Sequence, residues 1–340
     1  MLNTEKRSLC TDILGERFDV PFGIAPMGMC ALSCPQADRF MGSTAQRRNM
    51  PVCLSSAASS SIEDMFGWGG KNTWFQLYVG ESVDQSLTLV ERARETGYET
   101  LILTVDVPQV SRRTRDLRNG FVMPFSLGPR QIVDLALHPR WSIGTLVNGI
   151  PRPRNFDATR GHSFNRHASR AGANWSFLDR LRKLWTGKLI VKGITSPTDA
   201  RDVRSAGADA VYVSNHGGRQ LDSVPASVDL LPPIRAALGP SFPLIFDSGV
   251  RSGEDVLKAL ALGADFVMLG RPFLHALGAD GEAGLNAMID VISEDISIGM
   301  AQLGVTSIDE IDERCLWPER RGMASADEAA TALGRTAHWR

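Results

Sequence analysis

Eight short apolar runs recur along this chain, most are followed by a helical pattern, and several of those patterns close on a glycine. The runs are Pro21–Met27, Pro51–Ser56, Thr73–Val79, Thr100–Val107, Lys188–Ile194, Ala210–His216, Pro243–Val250 and Phe266–Pro272. Between them, Val83–Thr96, Pro197–Ala206 and Glu254–Leu262 place apolar residues at helical spacing and stop at Gly97, Gly207 and Gly263. Glycine tolerates the left-handed turn that ends a helix. Strands that alternate with helices are joined by crossovers and so run parallel. Eight such units in 340 residues predict an α/β fold, a closed (β/α)8 TIM barrel and not an open sheet. No linker divides the chain, so 1–340 reads as one domain.

Polar residues sit at or just past the C-terminal end of nearly every proposed strand. Gly28 follows the first, Ser55 ends the second, Gln76 and Tyr78 lie in the third, and Thr104 and Asp106 in the fourth. Lys192 closes the fifth, Ser214 and His216 the sixth, Asp247 the seventh, and Gly270 with Arg271 the eighth. One polar strand end is usually a turn residue. Eight are hard to read as turns, because a barrel gathers its strand ends at the mouth where such folds build their sites.

About eighty residues separate the fourth and fifth strands, far more than a βα connection requires. This insertion, 112–175, holds eleven Arg, no Lys and three Asp between Arg112 and Arg170. Its middle, Gln131–Ile150, is rich in apolar side chains, among them Ile132, Leu137, Ile143 and Leu146. Three readings stand side by side: a lid over the mouth, a patch that rests on an anionic membrane or a partner, and a solvated insertion packed on the barrel. A net charge of −1 argues against non-specific nucleic-acid binding, which needs a basic excess. No run is apolar for long enough to span a bilayer, and Met1–Arg7 lacks the hydrophobic stretch of a secretory signal. The expectation is a cytoplasmic chain with peripheral contact at the inner face of a membrane. Cys30 and Cys34 have no second pair to complete a metal site, so no metal is expected.

The densest motif is Ser214-Asn215-His216-Gly217-Gly218-Arg219-Gln220-Leu221-Asp222, directly after the apolar run Ala210–Val213. A histidine and an arginine three residues apart leave the strand end together, and the two glycines allow a sharp turn and room for a bulky group. Such a pair suits one task. An imidazole removes a proton while a guanidinium grips a carboxylate by a two-pronged hydrogen bond. The substrate implied is an acid with a removable hydrogen near its carboxylate.

That motif resembles the FMN-dependent α-hydroxy-acid dehydrogenases and oxidases, which include glycolate oxidase, lactate oxidase, flavocytochrome lactate dehydrogenase and (S)-mandelate dehydrogenase. Ala25–Gly28, Leu54–Ser59, Phe75–Val79, Leu103–Asp106, Leu189–Gly193, Asp247–Arg251 and Leu269–Pro272 match the same family in the same order. The segment Leu137–Ser142 and Gly28 are most similar to mandelate dehydrogenase within it. The resemblance implies FMN as cofactor, His216 as catalytic base and Asp106 as its carboxylate partner. It implies Arg219 and the loop residue Arg113 as carboxylate ligands, with Tyr78 bonded to the substrate's own oxygen and Gly28 beside the substrate. Pro26, Met27, Gly28, Ser55, Gln76, Thr104 and Ser214 would surround the flavin ring and ribityl chain, with Lys192 near the pyrimidine edge. Asp247, Ser248, Gly249, Arg251, Gly270 and Arg271 would form the phosphate end of the site.

The activity implied is oxidation of an L-2-hydroxy acid, lactate- or mandelate-like, to the 2-oxo acid, with electrons passed to a quinone or other carrier. Two alternatives stand: an oxidase that yields peroxide from O2, and an FMN-binding protein of weakened activity. The family carries a further segment ahead of the point where this chain starts, which bears a substrate-contacting tyrosine and covers the bottom of the barrel. Met1–Val20 contains no substitute for it, so the expectation is either a shortened form of the family chain or a more open substrate pocket. Met27 and Ser248 also depart from the usual family residues. A homo-oligomer, a tetramer by analogy, is expected.

Overall fold

A computed structural model describes residues 3–80, 82–112, 118–120, 128–156 and 169–317. The chain opens with a small antiparallel hairpin, β1 (Thr11–Ile13) and β2 (Glu16–Phe18). The barrel strands follow as β3 (Phe22–Met27), β4 (Val52–Ser55), β5 (Thr73–Leu77) and β6 (Thr100–Thr104). After the insertion come β7 (Lys188–Ile194), β8 (Ala210–Val213), β9 (Leu244–Phe246) and β10 (Phe266–Leu269). All neighbours pair in parallel, and β10 pairs with both β9 and β3, which closes the cylinder. The expected eight strands are therefore all present.

The helices are α1 (Ala37–Arg47), α2 (Ile62–Gly69), α3 (Val83–Thr96), α4 (Pro129–Leu137), α5 (Pro139–Asn148) and α6 (Trp175–Leu184). They continue as α7 (Pro197–Ser205), α8 (Leu231–Leu238), α9 (Gly253–Ala261) and α10 (Arg271–Leu303), the last broken at Asp280 and Gly281. Local chemistry explains their starts. Ser61, Ser82, Asn174, Ser196 and Ser252 each accept a backbone N–H of the first turn through the side chain, which satisfies donors that a helix leaves unpaired.

Side-chain alternation splits the core into two layers. One set, including Ala25, Cys53, Ile102, Ile190, Tyr212, Ile245 and Met268, fills the cylinder; the other, including Ile24, Leu54, Leu103 and Val211, packs against the helices. The hairpin belongs to the first set. Ile13 and Phe18 join the interior cluster, and the Phe18 ring lies edge-on to Trp74 at 6.3 Å and to Phe266 at 6.0 Å. This corrects the expectation that Met1–Val20 leaves the bottom of the barrel uncovered: the hairpin caps that end.

A second correction concerns strand ends. The runs expected to reach Val79, Val107, His216 and Val250 leave the ladder at Leu77, Thr104, Val213 and Phe246. The polar residues beyond adopt conformations that a strand forbids, with φ of 58° at His216 and 87° at Ser248.

The described part of the insertion is anchored at one side and bare at the other. The Trp141 indole donates to Leu32 O at 3.0 Å, and the Asn155 side chain accepts from Ile62 N at 2.9 Å and donates toward Ser56 O and Ser60 O. By contrast Ile132, Leu137, Leu146, Val147 and Ile150 are 58–78% exposed.

Candidate active site

The loops at the C-terminal ends of the strands enclose a cavity of about 600 Å³. At one side stands His216. Its Nδ1 lies 3.1 and 3.2 Å from the two carboxylate oxygens of Asp106, and its Nε2 lies 3.5 Å from Tyr78 Oη. His216, Gly217 and Gly218 all have positive φ, between 58° and 71°, and the Asn215 side chain fixes the turn by accepting Gly218 N at 3.1 Å. A histidine held left-handed costs about 1–3 kcal/mol, which the surrounding bonds offset. Glycine is needed beside it. A Cβ on Gly217 would lie 2.5 Å from Arg271 Nη2, and one on Gly193 would lie 2.5 Å from Asp106 Cβ.

Burial alone would push the Asp106 carboxyl up, but the Lys192 ammonium and the His216 hydrogen bond outweigh it and hold the group below the usual carboxylate range. An ionised Asp106 orients the imidazole, with the Nδ1 proton toward the carboxylate and the Nε2 lone pair left for a proton.

Behind His216 lies a buried network centred on Lys192. Its Nζ sits 3.1 Å from Asp247 Oδ2 and donates to Ser214 Oγ at 2.6 Å. The same Asp247 oxygen accepts from the Tyr212 hydroxyl at 3.0 Å, and the ammonium lies 4.7 Å above the Tyr212 ring. Burial would lower the Lys192 pKa, yet Asp247 and Asp106 raise it above the ordinary value, so the residue is a fixed positive charge.

The cavity is strongly basic where the loops after β8, β9 and β10 meet it. Arg219, Arg251 and Arg271 all line it, and Arg271 is held below its usual pKa by burial and by repulsion from Arg251 and Arg219. Arg271 also opens α10 and donates to Gly217 O at 2.9 Å. Arg271 at a helix start with Arg251 close by forms a site that calls for an anion, and Arg219 stands three residues from His216.

Comparison with known proteins gives the family. The family model described as FMN-dependent dehydrogenase matches residues 1–318. The chain belongs to that family. It is 36% identical to (S)-mandelate dehydrogenase of Pseudomonas putida over 99% of this chain and 86% of that protein. It is 36% identical to an L-lactate dehydrogenase of Pseudomonas syringae pv. syringae over 92% and 85%. A crystal structure described as monotopic membrane protein (S)-mandelate dehydrogenase superposes with a TM-score of 0.88, 37% identity and coverage of 93% of this chain and 86% of that one. A mandelate oxidase mutant with (S)-mandelic acid gives 0.77 and 32%, covering 91% and 82%.

The cavity of this dehydrogenase fits FMN by its own chemistry. The arginine cluster offers a phosphate its counter-charge, and directly behind the lining residue Thr104 the buried Gln76 Oε1 has no hydrogen-bond partner among the described residues, an unmet acceptor at the wall of the site. Gln76 Nε2 is already committed to Thr104 Oγ1 at 2.9 Å. When bound, FMN supplies an acceptor for two electrons.

Most residues expected at the site meet there. Pro26, Met27, Gly28, Ser55, Tyr78 and Thr104 line the cavity on one side; Lys192, His216, Arg219, Asp247, Ser248, Gly249, Arg251, Gly270 and Arg271 line the rest. Asp106 and Ser214 stand one layer back, each bonded to His216, the latter through Oγ to the backbone N–H at 3.0 Å. Arg113 lies outside the described residues. Two lining or supporting residues escaped the sequence reading. Arg170 stacks its guanidinium 4.2 Å from the Tyr78 ring centroid, and Tyr212 supports Asp247 from inside the barrel.

Proposed function

We propose that this dehydrogenase oxidises a 2-hydroxy acid to the 2-oxo acid. Arg219 and Arg113 hold the carboxylate, the Tyr78 hydroxyl bonds the substrate's own oxygen, and His216 Nε2 takes up a proton. The observation that carries this reading is the His216–Asp106 contact at 3.1 Å, beside Tyr78 Oη at 3.5 Å. Proton uptake at Nε2 creates an imidazolium next to a carboxylate already held ionised, which stabilises the charge as it forms. Lys192 sets a second positive charge at the cavity wall, where electron density gathers during reduction.

The relatives named for (S)-mandelate and L-lactate support an L- or (S)-configured substrate with either a small or an aromatic side chain. An anaerobic spectral screen tests this. The flavin of the purified holoenzyme should bleach with (S)-lactate, (S)-mandelate or a close homologue, and no bleaching with any of them overturns the reading. Electrons then pass to a quinone or another carrier. The likeness to mandelate oxidase favours a second reading, transfer to O2. Slow reoxidation in aerated buffer is expected for the carrier route, and fast reoxidation with peroxide release would select the oxidase.

The insertion serves as a peripheral membrane contact on a single barrel domain. No described helix is long and apolar enough to cross a membrane, so contact comes from the exposed face of α4 and α5. The bare side chains Leu146 and Val147, each 78% exposed, would gain roughly 1.5–3 kcal/mol apiece on full burial in lipid. Leu146→Asp with Val147→Asp should abolish co-sedimentation with anionic phospholipid vesicles, while unaltered sedimentation would remove α5 from the contact.

A further inference from the structure

A second cavity, of about 300 Å³, lies where the insertion meets the barrel. We propose that it binds the headgroup of a lipid-soluble quinone, with Thr145 and Asp38 as its polar anchors. The proposal rests on the membrane-facing, carrier-linked reading given above and names where the carrier sits.

The cavity is lined by the first turn of α1, the loop after β4 and the last turn of α5. Three buried polar residues line it, Asp38, Thr145 and Ser60. Thr145, 8% exposed, has a hydroxyl with no hydrogen-bond partner among the described residues, and the Ser60 hydroxyl also has none. Asp38, 5% exposed, lies buried beside the Ser59–Ser60 backbone of the loop after β4. A buried hydroxyl without a partner is costly unless a ligand supplies one.

Only a thin partition separates this cavity from the flavin cavity. Met29 and Ala57 line the flavin side, Ala31 and Ser59 line this one. The two segments are laced together by Met29 N to Ala57 O at 3.0 Å and Ala31 N to Ser59 Oγ at 3.2 Å. Toward solvent, Ile150 lines the cavity and is 74% exposed, beside the bare Leu146 and Val147. An isoprenoid tail can therefore stay in lipid while its head reaches the partition.

The lining mixes Asp38 and Asp64 with Arg39, Arg152 and Arg154, so charge alone does not choose the head. The buried, unpartnered Thr145 hydroxyl beside bare apolar side chains favours a polar head on an apolar tail. Two quinone carbonyls match donors, the Thr145 hydroxyl and the guanidiniums of Arg39, Arg152 and Arg154 at the rim. Conversion of the quinone to its quinol adds two electrons and two protons across those carbonyl oxygens. The electrons are those removed from the hydroxy acid; one proton leaves Asp38, which reloads from solvent, and the other comes from solvent directly. Burial pushes the Asp38 carboxyl up to about 7, so it carries a transferable proton near neutrality.

The test uses decylubiquinone with the holoenzyme in neutral phospholipid nanodiscs. Wild type should bind it saturably, and Thr145→Val and Asp38→Asn should each weaken binding and raise the quinone KM at least fivefold. Anaerobic bleaching by the hydroxy acid, whose residues lie in the other cavity, serves as the control. A photoreactive quinone should label the α1 start, the loop after β4 or the end of α5. Labelling confined to the flavin cavity, unchanged quinone binding in both variants, or displacement of the quinone by excess anionic phospholipid alone each overturns the proposal. Failure of bleaching with quinone binding intact would overturn the hydroxy-acid reading and leave this site standing.

Discussion

Tyr212→Phe isolates the support behind Lys192. The residue is fully buried inside the cylinder, and the change removes a single hydroxyl whose partner is Asp247 Oδ2 at 3.0 Å. A hydrogen bond to a charged acceptor contributes about 1.5–3 kcal/mol. Asp247 is not orphaned, because Lys192 at 3.1 Å and Ser248 Oγ at 2.8 Å remain. The net loss of stability should therefore be about 1–2 kcal/mol, read by urea unfolding of the holoenzyme at fixed FMN. A second effect has a definite sign. Without the tyrosine, more of the Asp247 charge falls on Lys192, and less of the lysine's field reaches the flavin. If that removes about 1 kcal/mol from stabilisation of the reduced form, the two-electron potential falls by about 20 mV. Equilibration with a reference dye measures it. A stability change under about 0.5 kcal/mol, together with an unmoved or raised potential, would refute the argument.

Gly217→Ala places a side chain at φ 67° and forces its Cβ onto Arg271 Nη2. The left-handed penalty alone is about 1–2 kcal/mol, and displacement of Arg271 should weaken FMN binding about tenfold, measured by recovery of flavin fluorescence on dilution. Asp38 gives a pH signature. Burial pushes its carboxyl up to about 7, well above the ordinary carboxylate range, so the folded chain holds a proton that the unfolded chain releases. Stability from this group is greatest below about pH 4, falls between about 4 and 7, and is flat above, over a span of up to about 4 kcal/mol. The wild-type urea midpoint minus that of Asp38→Asn should fall as pH rises across that range; parallel curves would count against the buried acid.

The barrel was legible because its periodic elements are long enough to show a pattern, and because glycines and serines mark where helices stop and start. The hairpin was not, since strands of three residues carry too little alternation to separate from a loop. His216, Arg219 and Asp106 stood out as polar residues at strand ends. Tyr212 did not, because within Ala210–Val213 a tyrosine reads as one more core side chain, and only Asp247, at the end of the neighbouring β9, gives its hydroxyl a partner. Arg170 was hidden for a different reason. It is one of eleven arginines in the insertion, and sequence gives no sign of which one folds back over Tyr78. The second cavity arises between segments more than eighty positions apart in the chain, Ser59 and Thr145, so no local pattern announces it.

The account turns on His216 acting as a base beside bound FMN, and the rate of anaerobic flavin reduction by a 2-hydroxy acid in wild type and His216→Gln measures that directly. Loss of a positioned base should slow bleaching by at least about 100-fold, while the variant stays yellow and still binds the 2-oxo acid through Arg219. Bleaching at the wild-type rate in the variant would contradict it.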